Sequence, residues 1–109
     1  MLKRLADPAE LVASSQIAVT ELHRTALALP GVSAAEVDAV LDKVSLVALT
    51  PDQLRRAGLL PPLPAGAQLR SLDAIHIQAA LDIGATEFVT SDKRQAKAAK
   101  AAGLTVTVV

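Results

Sequence analysis

The chain contains no cysteine, no tryptophan and no tyrosine, and only one phenylalanine, Phe88, in 109 residues. Without cysteine there is neither a disulfide framework nor a thiolate metal site. Scarce aromatics argue against the stacking platform on which single-stranded nucleic acid is usually held. The net charge is zero, so the global basic footprint of a nucleic-acid binder is missing as well. No apolar run reaches the roughly 18 residues of a membrane span, and Met1-Leu2-Lys3-Arg4-Leu5-Ala6-Asp7 lacks a signal-peptide apolar region. A cytoplasmic protein with no membrane association is the expectation. Gly31, Gly58, Gly66, Gly84 and Gly103 are isolated, which excludes a glycine-rich phosphate loop. Ser91 lacks the Gly-x-Ser-x-Gly context of a hydrolase nucleophile.

What remains is a chain that is 51% hydrophobic and must build its core from Leu, Val, Ile and Ala. Its length predicts one domain over residues 1–109. Charge is unevenly spread, with six acids against three bases in residues 1–42. Lys93, Arg94, Lys97 and Lys100 crowd the opposite end. Lys93, Lys97 and Lys100 recur at helical spacing and share a face, which reads either as a solvated helix side or as a short phosphate-facing strip.

Turn and cap residues divide the chain. Leu11-Val12-Ala13 is a short apolar run, and Ser14 or Ser15 is placed to cap a helix reaching about Leu27, stopped by Pro30-Gly31. Ser33 with Glu36 three residues on forms a capping-box pattern. Val44 to Leu49 predicts a strand, and Thr50-Pro51-Asp52 starts a short helix ended by Gly58. Leu60 to Gln68 is the one long loop. Ser71 to Ile83 predicts a deeply buried helix closed by Gly84, because its apolar residues leave little polar face. Glu87 to Thr90 predicts a strand, Asp92 to Ala102 a helix closed by Gly103, and Thr105 to Val109 a final strand. Strands alternating with helices predict an α/β fold, with a parallel sheet covered by helices on both faces.

Three acids stand out against this apolar background. Asp73 lies in the first turn of its helix, Asp92 follows the strand 87–90, and Glu21 lies mid-helix. Singly, each has an ordinary explanation: favourable charge at a helix N-terminus, an N-cap, and an exposed helix position. Together they make a set of hard oxygen donors suited to Mg²⁺, able to support metal-assisted phosphodiester hydrolysis. Asp92 also falls outside the carboxyl end of a strand, where open parallel sheets gather functional residues. His23 and His76 have no close-spaced partner and read as hydrogen-bonded structural histidines.

From Leu11 onward the chain resembles the PIN-domain family, most closely the VapC-type toxin ribonucleases of toxin–antitoxin pairs. The resemblance rests on Val12-Ala13-Ser14-Ser15 leading to Thr20-Glu21-Leu22, on Leu69-Arg70-Ser71-Leu72-Asp73-Ala74-Ile75-His76, and on Phe88-Val89-Thr90-Ser91-Asp92-Lys93-Arg94. The ending Ala101-Ala102-Gly103-Leu104-Thr105-Val106 fits too. It implies a three-layer α/β/α sandwich and a Mg²⁺ or Mn²⁺ site held by Glu21, Asp73 and Asp92, with Thr90 in support. It also implies an RNA substrate, a small cognate antitoxin and a homodimer. Arg70, Lys93 and Arg94 are the candidates for phosphate contact.

In one respect the chain departs from the pattern. Chains of this family begin with a central strand carrying a first acid, and this sequence begins after it. Asp7, followed at once by Pro8, does not replace that acid. The departure implies either a start assigned too late or a truncated copy, with sheet edges that invite self-association or a borrowed strand. A catalytically inactive remnant that binds an antitoxin or a second copy is therefore the alternative expectation. An unrelated small α/β binding domain is a third.

Overall fold

Caps and turns set most of the element boundaries in the computed structural model, which describes residues 12–62 and 69–109. The elements are β1 (Ala13–Ser15), α1 (Ile17–Leu27), α2 (Ala34–Leu41), β2 (Ser45–Val47), α3 (Pro51–Gly58), α4 (Ser71–Asp82), β3 (Phe88–Thr90), α5 (Lys93–Ala101) and β4 (Val106–Val108). The capping box at α2 forms as its sequence predicts: the Glu36 N–H donates to Ser33 Oγ, and the Ser33 N–H donates to Glu36 Oε1. Thr50 caps α3 by accepting from the Gln53 N–H, with Pro51 at the first helical position. Gly84 and Gly103 adopt φ of +62° and +94°, a region other residues enter only with strain. The bonds Ala85 N–H to Ala80 O and Gly84 N–H to Leu81 O, repeated at Leu104 and Gly103, close α4 and α5 in the Schellman manner.

The first helix departs from its sequence reading. Ser14 and Ser15 are not helix caps; they lie in β1 and are buried, and Gln16 is the residue before α1. Only Ser15 retains a cap-like contact, accepting from the Ile17 N–H at 3.3 Å. Two small polar residues before an amphipathic helix resemble a cap, but pairing of β1 with β2 withdraws them into the interior. The segment around Asp7 and Pro8, and most of the 60–68 loop, lie outside the described residues.

Among the described residues all strand pairing is parallel, as the alternation of strands and helices predicts. It occurs as two separate pairs, however: β1 with β2 and β3 with β4. Among the described residues no strand joins β1 to β3. Helix α4 bridges the gap, packing against β1, α3 and α5.

The burial of α4 follows its composition. Asp73, Ala74 and the run His76 to Ala80 are buried, although Leu72 and Ile83 at its ends are about half exposed. Ile77 is fully buried and anchors a cluster with Ala80, Phe88, Ala98 and Ala99. Burying such a side chain contributes about 2–3 kcal/mol, and the alanines around it allow close backbone approach. A second cluster, Ala26, Val37 and Leu41, joins α1 to α2. Arg56 fastens α3 to α4 by donating to Asp82 and, within its own helix, to Asp52 at 2.9 Å. That contact holds the Asp82 carboxyl below the usual carboxylate range. Among the described residues no helix is long and apolar enough to cross a membrane.

Candidate acidic site

The carboxyl ends of β1 and β3 lead to one cleft of about 760 Å³. After β1 the chain turns into α1, which brings Ala18 and Glu21 to the cleft wall; after β3 it delivers Ser91 and Asp92. The first turn of α4 adds Asp73, and the residue before it is Arg70. Glu21, Asp73, Asp92, Thr90 and Arg70, distant in sequence, thus line one cavity. Lys93 and Arg94 do not: both are exposed on α5, as are Lys97 and Lys100.

Asp92 is the N-cap of α5. Its Oδ1 accepts from the Arg94 and Gln95 N–H groups at 2.8 and 3.3 Å. Those two bonds, with help from Arg70, hold its carboxyl below the ordinary range. Its other oxygen, Oδ2, accepts from Arg70 Nη2 at 3.0 Å. The same guanidinium donates through Nε to Asp73 Oδ2 at 2.9 Å. One planar cation therefore spans two carboxylates that stand nineteen positions apart in the chain (92 − 73).

Behind this bridge lies a buried polar relay that sequence reasoning missed. Gln95 Nε2 donates to Asp73 Oδ1 at 3.3 Å, and Gln95 Oε1 accepts from Thr90 Oγ1 at 2.7 Å. Thr90 Oγ1 in turn accepts from the Asp92 N–H at 3.0 Å. Thr90 supports the acids in this way, holding the backbone of one and, through Gln95, the side chain of the other. The available signal was the spacing Asp92-x-x-Gln95, which matches a capping box. Here the glutamine side chain serves the cleft instead.

Glu21 is separated from the other two. Its carboxylate accepts from His76 Nε2, and the ring is buried, with 2% exposure. His76 is the hydrogen-bonded histidine its apolar helix suggests, but only at one nitrogen; Nδ1 has no partner among the described residues. Likewise His23 bonds Asp38 across α1 and α2 at 2.9 Å.

The donor chemistry suits a hard divalent cation, and Asp73 and Asp92 both bond one guanidinium, through its Nε and its Nη2. Glu21 does not complete the set: among the described residues no three His, Cys, Asp or Glu side chains group closely enough to hold one metal ion. The protein's own groups, Arg70 and His76, engage the acids instead.

A family model described as the PIN domain matches residues 1–101 of the chain. No curated protein and no solved structure matches it.

Proposed function

Because the chain belongs to the PIN-domain family, whose members are generally metal-dependent nucleases, we propose that it is an endoribonuclease of the VapC toxin type. Its substrate is RNA, and its regulator is a cognate antitoxin. A homodimer is the expected assembly.

The observation that carries this reading is the convergence of Asp73 and Asp92 on one cationic group at the carboxyl ends of the strands. Asp73 and Asp92 would hold Mg²⁺ or Mn²⁺, with Glu21 joining once it leaves His76. When bound, such a cation offsets the charge that builds on a phosphodiester during in-line attack. The remaining work belongs to the chain itself. Thr90 and Gln95 hold the backbone of Asp92 and the side chain of Asp73 in place while Arg70 gives way to the cation. Arg70, displaced from the acids, is within reach of a phosphate and presents a planar fork suited to it.

The test is RNA cleavage by the full chain with Mn²⁺ or Mg²⁺, against an EDTA control and an Asp73→Asn variant, with Mn²⁺ binding followed in parallel. Metal-dependent cutting that disappears in the variant is the expected result. No cutting by a demonstrably folded chain would overturn it.

One observation favours a second reading, that of a catalytically silent relative that binds an antitoxin or a second copy. Arg70 occupies the position of a cation and Glu21 is turned to His76, leaving no three-acid group among the described residues. Under this reading the folded chain neither cuts RNA nor binds Mn²⁺, whereas robust metal-dependent cleavage counts against it.

A further inference from the structure

Helix α5 has one buried face and one charged face. Gln95, Ala96, Ala98 and Ala99 are buried. Every exposed position from Lys93 to Lys100 carries a cation, namely Lys93, Arg94, Lys97 and Lys100. The helix holds four of the chain's eleven Lys and Arg residues and none of its eleven Asp and Glu. The rest of the chain is left with seven bases against eleven acids. A chain of zero net charge thus concentrates its positive charge on the outside of a single helix.

That arrangement is unfavourable for the helix itself. Lys93 and Lys97 stand one turn apart, as do Lys97 and Lys100, and like charges so spaced repel each other. Lys93 and Arg94 lie in the first turn, at the positive end of the helix dipole. Neighbouring elements do not relieve the repulsion. Among the described residues the ion pairs of the acids go to His23, Arg56, Arg70 and His76, and none reaches α5. A row of cations unpaired in this way is stabilised by a polyanion laid against it. Its position singles out which polyanion. Asp92, the N-cap of α5, lines the acidic cleft, so the row starts one residue from the cleft and leads about 10 Å away from it.

We infer that the exposed face of α5 is a track for the RNA backbone, on which Lys97 and Lys100 hold phosphates beyond the cleft and Lys93 and Arg94 hold those nearest it. The row is long enough to follow about three successive phosphates of one strand, at about 3.4 Å of rise each. Lysines act on phosphate as point charges, and α5 carries no aromatic side chain on which a base could stack. The track therefore supplies affinity and direction without reading sequence. The choice of RNA over an acidic polypeptide rests on the nuclease reading of the cleft.

Fluorescence anisotropy of a labelled oligouridylate with the full chain tests it, in EDTA so that no metal-dependent cutting intervenes. Lys97→Gln with Lys100→Gln should weaken binding about tenfold. The same pair should flatten the slope of log affinity against log salt by about 1.4, at about 0.7 for each single-strand phosphate contact. Arg24→Gln with Lys43→Gln removes equal charge from exposed cations elsewhere and should leave affinity and slope close to those of the parent. The α5 variant should melt no lower than the parent, because its lost charges repelled each other. Equal weakening by the two pairs, a lower melting temperature for the α5 variant, or no RNA binding by the parent at low salt overturns the inference. A polyglutamate peptide that binds at least as tightly as the RNA, with equal dependence on Lys97 and Lys100, overturns the choice of partner in favour of an acidic polypeptide. Cleavage in Mn²⁺ by a chain whose RNA binding ignores α5 would sink the track and spare the nuclease reading. Binding through α5 by a folded chain that never cuts RNA would keep the track and sink the nuclease reading.

Discussion

The acidic cleft and the cavity beside β1 meet at His76, yet their polar groups stand in opposite conditions. In the cleft Asp73, Asp92 and Glu21 each have a protein partner, and Asp92 has three. In the cavity beside β1, Ser14 Oγ and His76 Nδ1 have none among the described residues, although both residues are only 2% exposed. A satisfied acidic cluster is stable at rest and must exchange partners to bind anything. Buried polar atoms without a partner gain from whatever supplies the missing hydrogen bonds. The first describes a site closed upon itself. His76, with one nitrogen in each, joins the two.

The contrast breaks most severely at Asp73. Asp73→Ala leaves the Gln95 amide without its acceptor in the interior and removes one arm of the Arg70 bridge. A loss of about 2 kcal/mol is expected, read from urea unfolding as a lower midpoint at unchanged m-value. Unchanged stability would mean that the relay through Gln95 and Thr90 is incidental.

Asp92→Ala should cost less, about 1 kcal/mol, the usual loss for an N-cap. Its pH dependence sharpens the assignment. The folded state holds the Asp92 carboxyl below its ordinary value, so ionised Asp92 favours folding. That contribution is complete above the unfolded value of about 3.9 and is lost as pH falls through the folded one. The stability gap between the parent chain and Asp92→Ala should therefore be level through neutral pH and narrow below about pH 4. A gap that widened on acidification would contradict the bonding described.

The smallest effect belongs to the cavity beside β1. Ser14→Ala deletes a hydroxyl that has no partner among the described residues, so stability should stay within about 0.5 kcal/mol or rise slightly. Thermal unfolding of the two chains side by side is sufficient. A clear loss would show that the hydroxyl is satisfied in solution.

Much of this molecule could be read directly from the chain. Local chemistry marks the helices: Ser33 with Glu36, Thr50 before Pro51, and Gly84 and Gly103 at positive φ act within one turn, on neighbours in sequence. The parallel pairing was legible from the order of strands and helices. Ser14 and Ser15 were misleading, because the same residues that cap helices also sit in a short buried strand, and only pairing with β2 distinguishes the two. Gln95 was overlooked because its spacing from Asp92 has a sufficient local explanation.

The sequence alone determined most element types, the family, and that Asp73 and Asp92 stand at helix starts, because those properties depend on composition and on spacings of three or four residues. Tertiary structure decided the rest. It brought Glu21 to His76 across 55 positions, put Arg70 between Asp73 and Asp92, and left two strand pairs unjoined among the described residues. The physical reason is that a carboxylate takes whichever cation or donor folding brings nearest, and a strand edge is satisfied or left open by what packs beside it. Neither choice is made among neighbours in sequence.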